Sequence, residues 1–136
     1  MRRAVNNFYL ESMKISEKEF DKIVKKAIKR IPSDIRGYLN NIAISVKNRP
    51  TEKMMEKMDV PPDAILFGVY QGIPLIERSV TSPPLFPDTI LLFQEPIEEI
   101  CENKEEIEDQ IEITVVHEIA HFFGISEERL RELGYG

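Results

Sequence analysis

Between residues 16 and 31 the apolar positions fall at helical spacing: Phe20, Ile23, Val24, Ala27, Ile28 and Ile31. Steps of three and four place them on one stripe, which predicts an amphipathic helix over residues 16–30. Ser16 stands where an N-cap is needed, Glu19 occupies the capping-box position, and Pro32 marks the end. The pattern then shortens. Residues 42–46 alternate, are rich in β-branched side chains and read as a strand. Residues 51–59 carry Met54, Met55 and Met58 and read as a short surface helix or loop tucked on the core, or as a sticky peptide-binding lip. Val60-Pro61-Pro62-Asp63 is a turn. Residues 65–70 form a predicted strand, Gln71-Gly72 a turn, and residues 73–80 an antiparallel return. The proline-rich run 81–88 has too few free N–H groups for a sheet and reads as a loop. Residues 89–93 are a strand. Residues 96–106 are an acidic connection that begins a short helix, residues 107–123 a long helix, and residues 126–133 a turn or two more. Residues 1–14 have no clear period and read as a loose arm or a short first helix.

This order predicts an α+β fold, with a small mixed β-sheet packed on helices. At 136 residues the chain is expected to form one domain, residues 1–136, with a single moderate core. No internal repeat is visible.

The chemistry concentrates at the end of the long predicted helix. His117-Glu118-Ile119-Ala120-His121 reads H-E-x-x-H, and these are the only two histidines of the chain. On a helix, residues four apart lie one above the other on one face. Two imidazoles so placed can grip one Zn²⁺, and Glu118 projects beside it as a general base. Catalytic zinc takes three protein ligands and leaves a position for water. The third must come from beyond the helix, so the chain has to turn. Gly124 suits that turn, because glycine adopts positive φ without a Cβ clash. Glu127 follows three residues later and is the expected third ligand, with Glu128 the alternative. Ser126 also reads as an N-cap, with Glu127 and Glu128 then first-turn acids facing the helix dipole. The bland reading of the motif is a core helix with two incidental imidazoles.

The extended run H-E-I-A-H-F-F-G-I-S-E is similar to the metzincin motif, with Glu127 where metzincins place a third His. The chain more closely resembles a family of small bacterial zinc metallopeptidases of the minimal zincin type. The matching stretches are residues 39–46 (LNNIAISV), 66–75 (LFGVYQGIPL), 87–93 (PDTILLF) and 124–130 (GISEERL). The resemblance spans most of the chain from Phe20 onward. It implies a compact zincin-like α+β core, with an edge strand running past the metal. The hairpin around residues 66–76 is the candidate for that edge. Tyr70 is then a candidate substrate-binding residue; its other reading is a strand-end tyrosine with its hydroxyl in water. Metzincins also carry a methionine-containing turn under the zinc. The sequence ending at Gly136 leaves no room for one, so slow or narrowly selective turnover is expected.

Composition narrows the partners. A net charge of -6 argues against nucleic acid or an anionic membrane as the main partner. The basic residues between Lys14 and Arg36 read as a solvated helix face. Cys101 is the single cysteine, which excludes an intramolecular disulfide, suits a reducing cytoplasm and reads as a small apolar residue. No signal-peptide pattern opens the chain and no apolar run has membrane-spanning length, so a cytoplasmic rather than secreted location is expected. The leading expectation is a zinc metallopeptidase acting on a peptide or protein. Its rivals are a zinc-binding module of little or no activity that holds a peptide or protein partner, and a metal-dependent RNA-processing hydrolase, which the acidic balance disfavours. The oligomeric state is not readable from the sequence.

Overall fold

The computed structural model describes residues 14–72 and 88–136. The expected arm, the returning strand at residues 73–80 and nearly all of the proline-rich loop lie outside these residues. Helix α1 (Glu17–Arg30) is capped as its sequence requires, with Ser16 accepting from the Glu19 N–H. A short helix α2 (Ser33–Arg36) and a 3₁₀ turn (Gly37–Asn41) lead into strand β1 (Ile42–Lys47). Helix α3 (Glu52–Lys57) is the expected short surface helix, capped by Thr51 and pinned by buried Met55. Strands β2 (Gly68–Gln71) and β3 (Asp88–Phe93) follow. Helices α4 (Gln94–Ile100), α5 (Lys104–Phe123) and α6 (Glu127–Glu132) complete the order.

The sheet is mixed, in the order β1-β3-β2. β1 runs parallel to β3, pairing Ile44 with Ile90; β2 runs antiparallel to β3, pairing Tyr70 with Ile90. β3 is the central strand and reads as an apolar run, with Ile90, Leu91, Leu92 and Phe93 buried. Together with the six α-helices of the described residues, this is the α+β architecture expected.

Three details differ from the sequence reading. The strand expected at residues 65–70 begins only at Gly68, and Ile65 is 66% exposed. The reason is a close crossing: a Cβ at Gly68 would stand 2.8 Å from Thr114 Cγ2 and 2.9 Å from the Leu91 carbonyl oxygen. Only glycine lets the chain enter the sheet there. The short helix expected to begin at residue 96 starts two residues earlier, at Gln94 (α4), and Pro96 sits in its first turn where no helical N–H bond is lost. The long helix starts three residues early, because Asn103 caps it by accepting from the Glu106 N–H.

Helix α5 is central rather than amphipathic. Ile107, Ile111, Val115, Val116 and Ile119 are all fully buried, and α1, α4, β2 and β3 pack around it. A helix covered on several sides has little reason to keep one polar face. From α1, Phe20, Ile23, Val24 and Ala27 complete the same core. Arg30 ties α1 to α5 through Glu108 at 2.8 Å, Asp109 at 2.8 Å and Glu112 at 2.9 Å. At the other end of the core, buried Gln94 and Glu98 of α4 grip the Ile15 backbone: Glu98 accepts from its N–H at 3.0 Å and Gln94 donates to its carbonyl at 3.0 Å. Among the described residues, no helix is long and apolar enough to cross a membrane.

Candidate metal centre and catalytic cleft

The last two turns of α5 carry His117, Glu118 and His121. The helix stops at Gly124, which takes φ 73° and ψ 31°, with its N–H returning to the Ala120 carbonyl. The chain reverses there as the sequence reading requires. Ser126 then caps α6 by accepting from the Arg129 N–H at 3.1 Å. Buried Leu130 pins α6 to the core. Beyond α6 the Tyr135 hydroxyl donates to Glu112 on α5. Burial, then the adjacent Glu112 charge, pushes that phenol well above its ordinary pKa, so it stays a donor.

These elements enclose an open cleft of about 580 Å³, lined among others by His117, His121, Gly124, Glu127, Arg131 and Tyr135. Both histidines are exposed to it. His117 Nε2 lies 3.5 Å from the Tyr135 carbonyl oxygen. Glu127 lines the cleft and Glu128 does not. Among the described residues, no three His, Cys, Asp or Glu side chains converge as a ready-made metal cage. The donor chemistry nonetheless fits zinc. Two neutral imidazoles one helical turn apart and a carboxylate on the facing wall are a normal set for it.

Glu118 points elsewhere. It is half-buried between α5 and β2, and its Oε1 accepts the Tyr70 N–H at 2.9 Å. Burial raises its carboxyl pKa above the ordinary carboxylate value, against the opposing pull of the Tyr70 N–H and of the two imidazoles. A carboxylate held by one oriented donor and partly shielded from water is a better proton acceptor than a solvated one.

Tyr70 meets Glu118 through its backbone rather than its hydroxyl. Its ring stacks on Phe122 with centroids 3.9 Å apart, and its hydroxyl donates to Asp88 at 2.7 Å instead of standing in water. β2 is an outer strand of the sheet among the described residues, and the Tyr70 N–H on it is already engaged by Glu118. Sequence reasoning missed three contributors: the Tyr70 N–H, the Tyr135–Glu112–Arg30 tether, and the rings of Phe122 and Phe123. Only the last left a signal, two adjacent aromatics directly after the motif.

No curated protein sequence shows significant similarity to the chain. Residues 39–136 match the family model described as Zincin-like metallopeptidase. That span holds β1 to α6 and every residue of the cleft, so the chain belongs to the zincin-like metallopeptidase family.

Proposed function

We propose that this chain is a zinc-dependent metallopeptidase, with His117, His121 and Glu127 holding the metal and Glu118 acting as general base. The observation that carries this reading is the environment of Glu118. It is a half-buried carboxylate of raised pKa, held by the Tyr70 N–H on the same two helical turns that carry the cleft-facing histidines. A structural zinc site has no use for a carboxylate so prepared. Zinc, when bound, supplies Lewis acidity, polarising a substrate carbonyl and bringing the pKa of a water from about 15.7 toward 7.

The protein groups do the rest. Glu118 takes a proton from the attacking water and passes it to the leaving amine. Its hydrogen bond to Tyr70 fixes the direction of that transfer. The tether through Tyr135, Glu112 and Arg30 holds the far wall of the cleft against α5 and so against His117. The cleft is open, which suits an extended peptide or an unfolded stretch of protein. Chelation should abolish peptide cleavage, and one equivalent of zinc should restore it. Cleavage that persists unchanged after complete metal removal would refute the reading.

A further inference from the structure

Resting on the peptidase reading, we infer that the aromatic array at the end of α5 is a specificity subsite, selecting peptides with an aromatic or large apolar side chain next to the bond that is cut. The array is built from Tyr70, Phe122, Phe123 and Tyr38. Tyr70 stacks on Phe122 at 3.9 Å. Phe122 meets Phe123 edge-on at 5.1 Å, and Phe123 lies 4.7 Å from Tyr38. Three of these rings are exposed: Phe122 by 51%, Phe123 by 41% and Tyr38 by 42%. Exposed apolar rings so clustered mark a recognition surface, whereas scattered ones do not.

Its position identifies the occupant. Phe122 directly follows His121, and the residue stacked on it is the one whose N–H holds Glu118. Glu118 and Phe122 are four apart, so they share a stripe of α5 beside the His117–His121 stripe. A peptide laid over the histidines, with its scissile carbonyl next to Glu118, would bring a flanking side chain toward the Tyr70–Phe122 stack, which adjoins the cleft rather than lining it. Gly72 packs against the stack: a Cβ there would stand 3.1 Å from the Phe122 ring and 3.0 Å from that of Tyr70 and would crowd both. An aromatic or large apolar side chain gains ring contacts on this surface. A charged one would lose hydration without finding an opposite charge on the rings.

The test uses the zinc-loaded full chain carrying Glu118→Gln, which keeps an acceptor for Tyr70 and leaves a bound peptide uncut. Two labelled peptides, identical except for Phe or Ala at the central position, are titrated by fluorescence anisotropy. The Phe peptide should bind about tenfold more tightly or better. Adding Phe122→Ala should bring the ratio close to one, and Phe122→Leu should retain part of it. Ile100→Ala trims an exposed side chain at the end of α4 and should leave the ratio unchanged. Equal binding of the two peptides, or a ratio that survives Phe122→Ala, would overturn the inference. Cleavage by the wild-type chain separates the two readings. Efficient cutting without flanking preference sinks the subsite alone, whereas a Phe preference in binding with no cutting at all sinks the peptidase and keeps the subsite.

Discussion

At the scale of single residues, the turn and cap that follow the H-E-x-x-H run were legible. H-E-x-x-H, the glycine three residues on and the acid three beyond that all fall where their types predict. Gly124 does take positive φ, Ser126 does cap the following helix, and Glu127 does line the cleft. What was not legible depends on chain segments distant in sequence. No spacing rule predicts that the Tyr70 N–H meets Glu118, or that the Tyr135 hydroxyl meets Glu112. The zinc assignment leads to a stoichiometry. The wild-type chain should bind one equivalent after loading, His121→Ala should lose it, and Glu127→Ala should bind more weakly while keeping its far-ultraviolet circular dichroism. Full zinc retention by His121→Ala would remove the site. A second residue-scale prediction concerns Cys101. Burial, with Glu106 and Asp109 nearby, pushes its thiol up to about 11. At mildly alkaline pH it is therefore protonated and poorly nucleophilic. A thiol reagent should label it slowly in the native chain and at once in denaturant; rapid native labelling would contradict the packing.

At the scale of elements, apolar periodicity recovered α1, β1, β3 and α5, and the order of types along the chain. It misjudged boundaries where a single backbone contact decides them. Gly68 sets the start of β2 because only glycine clears Thr114 and the Leu91 carbonyl, and no pattern of hydrophobicity encodes that clearance. Periodicity is faint in α5, because burial on several sides leaves little stripe to see. The junction between α5 and α6 is the element-level feature on which the cleft depends. Gly124→Ala forces a side chain into the left-handed region and should cost about 1–2 kcal/mol of stability. Urea denaturation checks this. Zinc affinity should fall with it, since α6 carries Glu127. An unchanged midpoint would show that the turn is not strained by a side chain.

At the scale of the whole molecule, one core serves both the fold and the cleft. α5 is its centre, α1 and the sheet cover it, and the segment after α6 is tied back to it. Arg30 joins these parts, since it pairs with Glu112, which also accepts the Tyr135 hydroxyl. Its guanidinium is held firmly charged by the Glu108 and Asp109 bonds. Arg30→Ala leaves Glu112 nearly buried without its cation. Because Arg30 itself is 44% exposed, the loss should be moderate, about 1–3 kcal/mol. The same variant should loosen the wall of the cleft and slow peptide turnover. Stability and turnover both unchanged would separate the tether from the site.

The central claim is that Glu118 is the base of a zinc peptidase. The most direct measurement compares the wild-type chain with Glu118→Gln, both zinc-loaded, on a broad peptide library read by mass spectrometry. Removing a general base typically costs on the order of 10²–10⁴-fold in rate. The account predicts cleavage products from the wild type, an equal zinc content in both proteins, and essentially no products from Glu118→Gln. Identical product profiles from the two proteins, including none from either, would contradict it and leave a zinc-binding module that holds peptides without cutting them.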